Sequence, residues 1–205
     1  MAGTPTIDDL RRALAALRPA GDPPATPDHV AAVAAVLRDA GAGVELLFIE
    51  RADHPQDPWS GHMAWPGGRV DPDDPDARAA ALREVREELA LDLERDAAPL
   101  GALPPVRTHL AQGPGPLWVA PFVFELRGDP PLAPNDEVKT ALWVPLPFLL
   151  DRANRGTFVW DGRGVPLPMP CYRYRGRVIW GLTLHMLDDL LAAIGRSGSA
   201  ASAQT

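Results

Sequence analysis

The chain has one cysteine, Cys171, and one lysine, Lys139, among its 205 residues. A lone thiol excludes an intrachain disulfide and leaves a thiolate-held metal short of ligands. No run of 18 apolar residues occurs, so no segment has the length of a membrane-spanning helix. Residues 1–17 carry acidic groups and no apolar stretch of signal length. Positive charge is scarce too: 20 Lys and Arg against 27 Asp and Glu give a net charge of −7. General nucleic-acid binding wants a cationic surface, so that class is disfavoured. A local cluster of arginines, or a bound metal, is still compatible with a phosphorylated substrate. These shortages predict a soluble cytoplasmic protein with no nucleic-acid and no membrane partner. Proline, by contrast, is abundant at 24 residues, so connections should be many and stiff.

The apolar pattern gives the framework. Ile7, Leu10, Leu14 and Leu17 recur at helical spacing, with Thr6 as an N-cap. Residues 19–27 form a proline-rich connector. His29 to Arg38 and Val44 to Glu50 read as two adjacent strands joined by a turn at Ala40–Gly43. Residues 53–62 are polar and turn-rich, hence a loop. Residues 100–107, 117–126 and 140–146 read as strands, 147–151 as a short helix, and 108–116 as a glycine-rich segment holding His109. Short extended pieces at 158–160, 165–167 and 177–180 precede a final helix over 181–194. The expected organisation is an N-terminal helix and connector over 1–24, one domain over 25–195, and a disordered tail over 196–205. Strands with a helix near the middle and another at the end predict an α/β fold, a mixed sheet covered by helices on both faces.

Chemistry concentrates between Trp65 and Leu91. Gly67-Gly68 marks a tight turn or a close backbone approach. Aspartates at 71, 73, 74 and 76 follow, and then a helix on which Glu84, Glu87 and Glu88 fall within an arc of about 100°. Leu82, Val85 and Leu89 take the opposite, core-facing side. A charged helix face is commonly just solvated. Three carboxylates this close repel unless a cation neutralises them, and an oxygen-only set suits Mg²⁺ or Mn²⁺. Ala80 and Ala81 flank the face and predict room for a bulky ligand.

Gly67-Gly68 followed by Arg83-Glu84-Val85-Arg86-Glu87-Glu88-Leu89-Ala90-Leu91 resembles the Nudix box. Ala90 stands where that family usually has a glycine that ends the helix. The loop glutamate of the family is replaced within Asp71, Asp73 and Asp74. The spacing Gly-Gly-x-x-Asp-x-x-Asp resembles the coenzyme A diphosphatase subgroup, as do Leu46–Arg51, Gly61–Gly68, Val119–Val123, Glu137 with Trp143–Leu146, and Ile179–Thr183. In the 53–60 loop, Asp57-Pro58-Trp59-Ser60 stands in place of that subgroup's Arg-x-x-x-Gly.

The resemblance implies a Nudix α/β/α sandwich that hydrolyses a nucleoside diphosphate linked to another group. Coenzyme A or a derivative is the expected substrate, yielding 3′,5′-ADP and 4′-phosphopantetheine, with ADP-ribose or NADH as the alternative. It implies Glu84 and Glu88 as metal ligands, Glu87 as ligand or base, and the Gly68 carbonyl as a contributor. Arg83 would pair with a glutamate of the box and fix its rotamer. For the base, Glu87, Glu137 and His109 compete. Arg51 and Arg69 are candidates to grip phosphates, and Trp59 and Trp65 to stack on a base, with Trp65 the better core residue. Tyr172, Tyr174, Trp180 and Cys171 read as packing. A homodimer is a further expectation from relatives. An isomerase of the same fold would want a cysteine near the box, and a non-catalytic nucleotide sensor would carry an added module; neither suits this chain.

Overall fold

The first long strand, β1 (Val30–Asp39), is buried on both faces along most of its length, as an almost unbroken apolar run requires. The computed structural model describes residues 5–15, 29–53, 60–108, 117–161 and 166–202, with side chains to 195. β1 pairs antiparallel with β2 (Val44–Arg51) only at Leu37–Asp39. Further along the same edge it pairs with β4 (Gly67–Arg69) at Ala31–Val33. Between those points β1 and β2 part, and β3 (Met63–Ala64) seats beside β2. The glycine pair is thereby built into the sheet. On its other edge β1 runs parallel to β7 (Leu117–Leu126). β5 (Ala97–Ala102) and β6 (Val106–Thr108) pair with β7, and β8 (Val138–Pro145) with β2.

Alternation divides the side chains between two layers. Ala35, Leu37, Leu46, Phe48 and Val123 face α1 (Ile7–Ala15) and α5 (Gly181–Ser202), meeting Leu10, Leu14, Leu187 and Leu190. Ala34, Val36, Leu47, Ile49 and Phe124 face α2 (Ala77–Leu89), meeting Leu82, Val85 and Leu89. This is the α/β/α sandwich with a mixed sheet that the sequence predicts. Each of those three α2 side chains contributes about 1.5–3 kcal/mol on burial, so the helix is fixed by its apolar side. Thr6 caps α1 as expected, its Oγ1 accepting from Asp9 N at 3.3 Å while Asp9 Oδ2 accepts from Thr6 N at 2.8 Å.

Several expectations need correction. The single strand over 100–107 is two, because Pro104 and Pro105 lack the N–H a ladder needs; Leu103 turns inward and donates to the Pro121 carbonyl at 2.9 Å. The pieces near the C-terminus form a separate antiparallel sheet of β9 (Arg155–Trp160), β10 (Leu167–Tyr174) and β11 (Arg177–Trp180), in the order β11-β10-β9. Pro168 and Pro170 disguise β10. β11 pairs with β10 only at 171–174, so the missing donors fall where that edge is unpaired. Between β8 and this sheet lies α4 (Leu146–Leu150), and α3 (Leu93–Asp96) follows α2. The final helix runs to Ser202, seven residues into the expected tail, since propagating a formed helix adds a bond for each residue fixed. The connector at 19–27 lies outside the described residues, as do most of the 53–62 loop and of the 108–116 segment. Among the described residues no helix is long and apolar enough to cross a membrane.

Candidate active site

Gly67 has φ 147° and Gly68 lies against the carboxylate of Glu84. A Cβ at Gly67 would strike the Ala32 carbonyl, and one at Gly68 would strike Glu84. The pair is therefore demanded by close approach on two sides, backbone below and α2 above. Gly67 N also donates to Glu88 Oε2 at 2.9 Å. The turn is thus clamped between the sheet and the acidic helix.

α2 starts at Asp76, whose side chain accepts from Ala79 N at 2.7 Å. It ends at Ala90 in the left-handed region, φ 54°, with its N–H on the Arg86 carbonyl. Glu88 is 2% exposed. Burial, joined by the charges of Glu84 and Glu137 and opposed by the Gly67 N–H and Arg51, pushes its carboxyl up to about 8. Burial also raises Glu84, against Arg83 and with the charges of Glu87 and Glu137. Glu87 is exposed.

Arg83 ties this face to the aspartate loop. Its Nε and Nη2 form a fork on Asp74 at 3.1 and 3.0 Å, and Nη2 also donates to the Arg69 carbonyl at 3.0 Å. Nη1 reaches Glu84 at 3.0 Å and Glu87 at 3.2 Å. Asp74 is nearly buried, and its fork with Arg83 lowers its pKa. The loop closes on itself, with Asp71 N donating to Asp74 Oδ2 at 2.8 Å and Asp74 N to the Asp71 carbonyl at 3.0 Å. Of the three aspartates left open by the sequence, Asp74 takes the hydrogen bonds of Arg83, and Asp71 stands 3.7 Å from the same guanidinium.

Arg51, at the end of β2, acts electrostatically on Glu88, and Glu137 acts on both Glu84 and Glu88. A 2.8 Å bond from Ala52 N to the Glu137 carbonyl holds the two segments together. Arg69 contributes its carbonyl, while its residue is exposed. Trp59 and His109 lie outside the described residues. Trp65 is core, 2% exposed, and its indole N–H has no hydrogen-bond partner among the described residues. Tyr172 is buried with its hydroxyl on the Leu149 carbonyl at 2.8 Å, and Cys171 is buried. The room expected at Ala80 and Ala81 is absent: both are fully buried and pack on Ala32, so they let the helix approach the sheet. Sequence reasoning missed a rim network in which Glu50 takes Arg177 at 2.7 Å and Lys139 at 3.1 Å. Isolated charges 89 and 127 positions from Glu50 gave no local signal for it.

The side-chain donors gathered here are all carboxylate oxygens: Glu84, Glu87, Glu88 and Glu137. Two carboxyls are held above their ordinary range by burial and by repulsion from neighbouring carboxylates, a cost that a divalent cation cancels. Among the described residues, no three acidic or histidine side chains converge closely enough to enclose an ion as they stand. Glu84 and Glu87 are turned to Arg83 instead. The chemistry of the set fits a hard divalent ion, and the Arg83 contact engages Oε1 of Glu84.

The NUDIX domain family model matches residues 27–160. The chain belongs to the Nudix family. It is 31% identical over 146 residues to the Nudix hydrolase NudL, itself uncharacterized, of Yersinia pestis (strain Pestoides F), covering 71% of this chain and 70% of the relative. The same figures hold for NudL of Yersinia pseudotuberculosis serotype O:1b. A MutT/nudix family protein from Enterococcus faecalis shares the fold at a TM-score of 0.52 and 18% identity, covering 86% of this chain and 64% of that one. Nudix enzymes hydrolyse phosphoric anhydrides in nucleoside diphosphate derivatives, and this chain is a hydrolase of that class. Nudix hydrolases generally need divalent metal ions.

Proposed function

We propose that this Nudix hydrolase cleaves the diphosphate of coenzyme A or a derivative, giving 3′,5′-ADP and 4′-phosphopantetheine, with Mg²⁺ or Mn²⁺. The observation that carries the metal-dependent reading is the buried Glu88, raised to about 8 beside Glu84 and the glycine turn. The two-aspartate loop supports the coenzyme A reading, because Asp74 fills the loop-acid role on Arg83 at the subgroup's spacing.

Glu84 and Glu88 are the metal ligands, with Glu87 and the Gly68 carbonyl as further donors. When bound, the metal supplies charge neutralisation at the phosphoryl oxygens and lowers the pKa of a bound water. Arg83 positions Glu84 and Glu87 from one guanidinium. Arg51 and Arg69 bind phosphate oxygens, where forked donors match the geometry. Glu137 removes the proton of the attacking water, as an exposed carboxylate on the rim facing Glu84 and Glu88; Glu87 and His109 are its competitors. Trp59 is carried as a candidate stacking residue. The functional domain spans 25–195.

A panel of coenzyme A, ADP-ribose, NADH and diadenosine polyphosphates, with Mg²⁺ and with Mn²⁺, read by product mass, tests the substrate. Preferred release of 4′-phosphopantetheine is expected. Preferred cleavage of ADP-ribose or NADH would replace coenzyme A with a broader diphosphatase. Glu88→Gln should lower turnover about 100-fold or more with the fold retained, a loss on the order of 2.7 kcal/mol or more of transition-state stabilisation. A near wild-type rate would remove Glu88 from the ligand set.

A further inference from the structure

β9 to β11 bury one face of their sheet, through Tyr172 and Ile179, in the core. Register places Phe158 opposite Met169, Trp160 opposite Leu167 and Trp180 opposite Cys171, on the other face. There Trp180 is a hub, with ring centroids 4.9 Å from His62, 4.8 Å from Phe158 and 5.8 Å from Trp160. All four rings are half-buried, unlike Trp65, and Leu167 beside them is 43% exposed.

This wall adjoins the catalytic rim. The His62 carbonyl accepts from Arg51 N at 3.1 Å. Ala64 lies opposite Ile49, which packs under α2, so alternation puts His62 on the sheet face that carries the acidic helix. Arg177 of β11 is locked to Glu50 of β2 at 2.7 Å, which fixes the aromatic sheet relative to that rim.

We propose that the face formed by His62, Trp180, Phe158 and Trp160 receives the nucleobase of the substrate. This rests on the nucleoside-diphosphate reading of the site. A base is flat, with apolar faces and a polar edge, and matches a wall of tilted aromatic rings. A flexible amide chain offers no such plane. A second copy of the chain needs roughly 800 Å² per partner, far more than four part-covered rings supply.

The test uses Trp160→Leu and Phe158→Leu, with Trp160→Phe as the conservative variant and thermal melts as the control for folding. ADP binding is followed by tryptophan fluorescence, and inorganic pyrophosphate by its competition with ADP. Both leucine variants should bind ADP at least about tenfold more weakly, leave pyrophosphate affinity unchanged, and raise KM with kcat within twofold on the substrate the panel identifies. Trp160→Phe should retain ADP affinity. Unchanged ADP affinity in folded leucine variants overturns the inference, as does equal weakening of ADP and pyrophosphate. A wild-type dimer in sedimentation that these variants dissociate also overturns it, since the face would then be an interface. Loss of ADP affinity without any coenzyme A cleavage would sink the substrate proposal and leave the base site standing. Coenzyme A cleavage with unaltered ADP binding would do the reverse.

Discussion

Ala90 holds a conformation that suits glycine, φ 54° and ψ 25°, at the exit of α2. The left-handed region costs an alanine about 1–2 kcal/mol, while glycine adds back about 0.4–1 kcal/mol of unfolded-chain entropy. Ala90→Gly should therefore stabilise the protein by up to about 1.5 kcal/mol in urea unfolding; a destabilisation would mean that the alanine methyl makes a contact of its own. Trp65 presents the opposite case, a buried ring 6.5 Å from Phe48 with an N–H unpaired among the described residues. Trp65→Phe removes that donor at the expense of some volume, so its stability should stay within about 1 kcal/mol of wild type, whereas Trp65→Ala should cost about 3–5 kcal/mol. Single residues were legible where chemistry is local. The need for Gly67 and Gly68 shows in the sequence; the choice of Asp74 over Asp71 and Asp73 does not, since it depends on which carboxylate the loop turns toward Arg83 nine positions later.

α2 carries two jobs on two sides, and its apolar side was readable from spacing alone because Leu82, Val85 and Leu89 follow the helical period. Its acidic side was readable as a set but not in its inequality: Glu88 is buried and Glu87 exposed, a difference made by the sheet rather than by the helix. Folding raises Glu88 from an ordinary value near 4.5 to about 8. Between those values the folded protein binds more protons than the unfolded chain, so this group's contribution to stability is full below the window and declines as pH rises through it. In chelator, the melting temperature should fall from pH 5 to pH 8, and Glu88→Gln should flatten that slope. Added Mg²⁺ should restore wild-type stability at pH 8 and do less for the variant. A pH-independent melt of the wild type would show that Glu88 is ionised without a metal. Ala80 and Ala81 illustrate how small residues mislead: the same methyl groups allow either a ligand or a closely seated helix, and only packing against Ala32 decides.

At the scale of the molecule, the family match stops at residue 160, yet the layer opposite α2 is supplied by α1 and by α5. A chain ending at 160 would leave Leu46, Phe48 and Val123 without Leu187 and Leu190. It should fail to give a cooperative melt; a sharp transition would show that the C-terminal helix is dispensable. The sandwich was legible from alternating strands and amphipathic helices, which report burial. The second sheet was not, because prolines mask β10 and strand pairing leaves no local mark. The parallel pairing of β1 with β7 has a kinetic consequence. Val30 meets Trp118, 88 positions along the chain, so this central ladder closes only after a long loop has lost its freedom. Until then β1, apolar on both faces, has no partner along that edge and is open to pairing with other chains. Refolding yield should therefore drop with protein concentration, and a charge placed at Ala35 should slow folding as well as weaken the core.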